Sequence, residues 1–122
     1  MNTITVLDCT LRDGGYCNQW QFGESNINRI IKGLSDSYID IVECGFLTNK
    51  VKYDSNVSKF TTIEELNSVL PKSTNSTLFV AMANLGEYDF NTLPEYSGKG
   101  IWGLRLAFHK KDAKQALEQA KI

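Results

Sequence analysis

The sequence predicts an α/β fold with a parallel sheet, on three observations. Short apolar runs alternate with amphipathic stretches of helical spacing, four times along the 122 residues. One of these runs, Leu78-Phe79-Val80-Ala81-Met82-Ala83, is apolar without a break, as expected of a parallel strand covered on both faces. The first run ends in charge and glycine, Arg12-Asp13-Gly14-Gly15, and parallel α/β proteins keep their chemistry just beyond strand C-termini.

Taken in order, residues 3–8 read as the first strand. Residues 24–37 read as a helix, with Ile27, Ile30, Ile31 and Leu34 on one stripe. The second strand covers 39–44 and is ended by Gly45. The stretch 46–59, with Asn49, Asp54, Ser55 and Asn56, is polar and long for a loop; it is either a functional lid or disordered. A second helix starts near Thr62, where Thr-Ile-Glu-Glu resembles a capping box, and stops at Pro71. The third strand is 77–83, an irregular segment covers 87–97, and the fourth strand is 101–108. A last helix runs from Lys111 with Ala113, Ala116, Leu117 and Ala120 on one side. Four βα units in sequence imply right-handed parallel connections.

Composition narrows the partners. One domain, 1–122, accounts for the length, and 42% hydrophobic residues suffice for a core. Thirteen basic and fourteen acidic residues are interspersed, so no basic stripe exists to meet a nucleic-acid backbone. No apolar run approaches the roughly 20 residues that span a bilayer, and the N-terminus begins no secretory signal, which makes a cytoplasmic location the expectation. Cys9, Cys17 and Cys44 form no Cys-x-x-Cys pair and are expected to be packed, reduced thiols.

Asp8-Cys9-Thr10-Leu11-Arg12-Asp13-Gly14-Gly15 resembles the signature that opens the pyruvate aldolase and HMG-CoA lyase-like superfamily, the DRE-TIM metallolyases. The likeness is greatest to the 4-hydroxy-2-oxovalerate aldolase-like branch. It continues weakly through Ile41-Val42-Glu43-Cys44-Gly45 and through Gly103 to His109. It implies that the chain is the N-terminal half, about four βα units, of a TIM (β/α)8 barrel, which needs about 250 residues. The last helix has no Gly, Asn or Pro to end it, consistent with that reading. A half barrel would leave its outer strands unpaired, so self-association is expected.

The resemblance implies a divalent-metal-dependent aldolase acting on a small oxo acid through a pyruvate-type enolate. This chain alone would hold only part of the site. Asp13 stands where the family has a metal ligand, and a carboxylate suits Mn²⁺, Mg²⁺ or Zn²⁺. The family's His-x-His ligands have no counterpart here, since His109 is the single histidine. Arg12 stands at the catalytic arginine, whose guanidinium fork holds the enolate oxygen. Asp8 and Thr10 complete the motif, with Asp8 expected to orient Arg12. Tyr16 occupies the position of the family's histidine base, a departure that leaves the substrate open, because a phenol is a weak base near neutrality.

Period-2 alternation puts Ile41, Glu43 and Gly45 on one face and Arg105, Ala107 and His109 on another. Glu43 and Arg105 are thus candidates for a pair, lining the pocket or serving only structure. His109 is a candidate for the pocket mouth, and Tyr16, Trp20 and Phe22 for a roof over it or for packing. An Arg12–Asp13 pair open to water would contribute about 1 kcal/mol at most to folding. Two further readings remain: an acyl-CoA-dependent synthase of the isopropylmalate or homocitrate type, and a noncatalytic domain.

Overall fold

The computed structural model describes residues 3–73 and 75–122. It is an α/β structure whose five strands form one sheet: β1 (Leu7–Asp8), β2 (Ile41–Leu47), β3 (Lys59–Phe60), β4 (Leu78–Asn84) and β5 (Gly103–Ala107). The order is β1-β2-β4-β5, every pairing is parallel, and β3 continues the β1 edge of β2 further along that strand. Among the described residues three α-helices accompany the sheet: α1 (Glu24–Asp36), α2 (Ile63–Ser68) and α3 (Ala113–Gln119). No helix among the described residues is long and apolar enough to cross a membrane.

One sheet face carries the core. Val42, Phe79, Ala81 and Ala83 project into a cluster with Ile27 and Ile31 of α1 and Leu66 of α2. Residues paired in register on the opposite face are Glu43 with Val80 and Met82 with Arg105. Alternation along each strand keeps these two sets apart. Thr62 and Glu65 form the expected capping box, each side chain taking the other's backbone N–H, so α2 starts where the spacing places it.

Several boundaries differ from the sequence expectation, each for a local reason. The first strand is shorter: the ladder holds only Leu7 and Asp8, although Val6 still exchanges hydrogen bonds with Asp40 and Ile41. The second strand does not stop at Gly45 but passes through it. Gly45 has φ +142°, a value open to glycine, and the register shifts between Glu43 and Phe46. This bulge puts Phe46, which pairs with Met82, on the same face as Glu43. A Cβ at Gly45 would overlap the backbone carbonyl of Ser58, so only glycine admits the β3 segment this close. The long loop therefore shrinks to 48–58. In the 87–97 stretch a single 3₁₀ turn, Phe90–Thr92, is the only helical element. The final helix begins with a 3₁₀ turn, Lys110–Asp112, before α3.

Candidate active site at the strand C-termini

Beyond Asp8 the chain turns at once. The amides of Arg12 and Asp13 both donate to the Cys9 carbonyl, at 3.1 and 2.7 Å. Asp8 closes the turn by accepting the Thr10 amide and hydroxyl, each at 3.0 Å. Asp8 thus shapes the backbone ahead of Arg12 through Thr10; the carboxylate that holds the Arg12 side chain belongs to Glu43.

Glu43 has no exposed side-chain surface. Its Oε1 accepts Arg12 Nε at 2.6 Å and its Oε2 accepts Arg105 Nη1 at 2.8 Å. Arg105 reaches it from β5 across the intervening strand β4. Arg12 Nη1 also donates to Asp13 Oδ1 at 3.0 Å. The Arg12 side chain is 16% exposed, Arg105 46% and Asp13 62%. The site therefore grades from a buried carboxylate, through a mostly buried guanidinium, to a carboxylate in solvent. Burial by itself works against the Arg12 charge. The hydrogen bond and attraction of Glu43, followed by Asp13 and Cys9, outweigh it and raise the guanidinium above its ordinary value.

The loop that follows is built around Trp20. Its indole Nε1 donates to the Arg12 carbonyl at 2.6 Å, and its ring packs edge-on against Tyr16 and Phe46, with centroids 4.7 and 5.6 Å apart. Lys59 Nζ sits 3.8 Å from the indole centroid, a cation–π contact. A Cβ on Gly15 would overlap the indole, which explains the second glycine of the motif. From beneath, Ser58, fully buried, donates its hydroxyl to the Leu11 carbonyl at 2.6 Å. The 48–58 loop is thus a strut under the Arg12 turn.

Arg12, Asp13, Glu43 and Arg105 are brought together. Tyr16 is near but 67% exposed, and its hydroxyl has no hydrogen-bond partner among the described residues. His109 is exposed beyond β5, in a separate cleft of about 460 Å³ with Asn84, Glu87, Asp112 and Gln115. No hydrogen bond or ion pair joins it to Arg12 or Glu43 among the described residues. Phe22 packs against the core rather than over the site. Of the cysteines, Cys44 is buried and Cys9 half-buried, while Cys17 is exposed and so is not the packed thiol expected.

Asp13 offers one exposed carboxylate, of a kind that ligates hard divalent ions, with Arg12 occupying one of its two oxygens. Among the described residues no group of three or more His, Cys, Asp or Glu is disposed to hold a metal ion. Trp20 as the anchor of the Arg12 carbonyl and Ser58 as the strut are not foreseeable from the sequence. A tryptophan eight residues after the arginine and a serine in a polar run carry no signal of these partners.

Compared with protein-family models, with curated proteins and with solved structures, the chain finds no significant match in any of the three.

Proposed function

We propose that the sheet is the first four βα units of a TIM-type barrel, and that its site handles a small oxo acid through a pyruvate-type enolate, as an aldolase or related carbon–carbon lyase. The observation that carries this reading is the pairing of Arg12 with buried Glu43, beside solvent-open Asp13, at the C-terminal end of a parallel sheet. A guanidinium fixed through Nε presents its outer N–H groups to a ligand without reorganising, which is what stabilising a developing oxyanion requires.

In this reading Arg12 binds the carboxylate and keto oxygens of the substrate and holds the enolate oxygen as charge develops. Asp13 supplies one ligand to a divalent metal, whose chemistry, when bound, is that of a Lewis acid on the oxo acid. Glu43 and Trp20 hold the side chain and the carbonyl of Arg12 respectively. Tyr16, exposed beside Trp20, borders the site and is the candidate proton carrier.

Pyruvate release from 4-hydroxy-2-oxo acids by the full-length protein, with Mn²⁺ or Mg²⁺ present, tests the proposal. Release that disappears in Asp13→Ala is the expected result. Consumption of acetyl-CoA without pyruvate release would assign the site to acyl transfer instead.

A further inference from the structure

The Glu43 carboxylate is shared between two arginines on different strands, and the sharing is unequal. Arg12 meets it with Nε alone, at Oε1; Arg105 holds Oε2 through Nη1. Arg12 Nη1 turns to Asp13, and Arg12 Nη2 has no partner among the described residues. A carboxylate with both oxygens free would instead take an arginine side-on through two parallel bonds, the stronger arrangement. Arg105 already donates to Oε2, the oxygen that the second bond would use.

We infer that Arg105 is a positioning residue for Arg12: by occupying Glu43 Oε2 it keeps Arg12 Nη2 out of a two-point ion pair and available to a ligand carboxylate. With Asp13, which takes Arg12 Nη1, the cluster of Arg12, Glu43 and Arg105 carries no net charge, and what it leaves to a ligand is the N–H pair of Arg12 Nη2, beside a wholly buried Glu43. A carboxylate oxygen matches those N–H groups. The ligand part rests on the proposal that Arg12 receives the oxo acid; the geometric part does not.

Arg105→Met removes the competitor while preserving the aliphatic length, and Arg105→Lys restores a cation that can hold Oε2. Arginine side-chain ¹⁵N NMR of the ligand-free chain reads the first step. In Arg105→Met the Arg12 Nη2 protons should exchange more slowly than in the wild type, while Nε–H stays protected; Arg105→Lys should resemble the wild type. Titration with pyruvate as probe reads the second step. Arg105→Met should bind it about tenfold or more weakly, the loss of one charge-assisted hydrogen bond, and Arg105→Lys should recover most of the affinity.

Loss of Nε–H protection in Arg105→Met would make Arg105 a structural prop and overturn the inference, as would unchanged Nη2 exchange together with unchanged pyruvate binding. Slowed Nη2 exchange in a protein whose wild type shows no pyruvate response at Arg12 would uphold the positioning role and overturn the oxo-acid reading.

Discussion

Glu43 and Arg12 are 31 residues apart in the chain, yet the carboxylate of the first takes the Nε–H of the second at 2.6 Å with none of its own side chain exposed. An arginine expected in a water-exposed turn is therefore part of the interior. Its contribution to folding cannot be that of a surface pair.

Replacing Glu43 by Ala should consequently destabilise the chain by about 3–5 kcal/mol, because two guanidiniums lose their shared counter-ion and Arg12 remains mostly buried. Asp13→Ala, at an exposed carboxylate, should cost less than about 1 kcal/mol. Urea midpoints for the two variants check this. Equal shifts would show that the Glu43 pair contributes no more than a surface contact.

Arg12→Lys separates charge from geometry. The ammonium keeps the charge but cannot hold Glu43 through Nε and a ligand through the fork together. Stability should fall by about 1–3 kcal/mol, as for the loss of a charged hydrogen bond. In the full-length protein kcat should drop about 10²-fold or more with substrate binding less affected. Near-normal kcat in Arg12→Lys would remove the oxyanion role proposed for Arg12.

The glycines give a test of the β2 bulge. Gly45→Ala demands positive φ of an alanine and drives its Cβ into the Ser58 carbonyl, so a loss of about 3 kcal/mol or more is expected. Gly33 lies within α1 with open space around its Cβ position, and Gly33→Ala should stabilise by about 0.5–1 kcal/mol. Thermal denaturation of the two variants should show midpoints moving in opposite directions.

Cys44 predicts an alkaline limb of stability. Burial, and secondly the negative charge of Glu43, push its thiol well above the usual range. The folded state thus keeps the proton after the unfolded chain has lost it. Stability from this group is complete below the unfolded thiol's pKa of about 8.5. Above that it falls, by about 1.4 kcal/mol per pH unit. Unfolding midpoints between pH 8 and 10 should decline more steeply in the wild type than in Cys44→Ala. Parallel declines would show that the thiol carries no such coupling.

Much of the fold was legible locally. The stripe Ile27, Ile30, Ile31, Leu34 placed α1, the unbroken run 78–83 placed β4, and Thr62 with Glu65 placed the start of α2, because periodicity and capping depend on residues within a turn or two of one another. Gly45 misled. Read as a stop, it is a bulge, and the apolar Phe46-Leu47 that follows was the local sign that the strand continues. Pattern alone does not separate a glycine that ends a strand from one that lets another segment approach it.

The sequence by itself determined the βα order, the parallel sheet and the identity of the charged turn Arg12-Asp13-Gly14-Gly15. Alternation also made Glu43 and Arg105 candidates to meet. Tertiary structure alone decided that Glu43 would serve two arginines at once, that Trp20 would anchor the Arg12 carbonyl, that Ser58 would brace Leu11, and that His109 would stand apart in its own cleft. Those outcomes follow from strand register and from the β2 bulge, which set distances between residues tens of positions apart; nothing in the neighbouring residues records which long-range partner a buried charge will find.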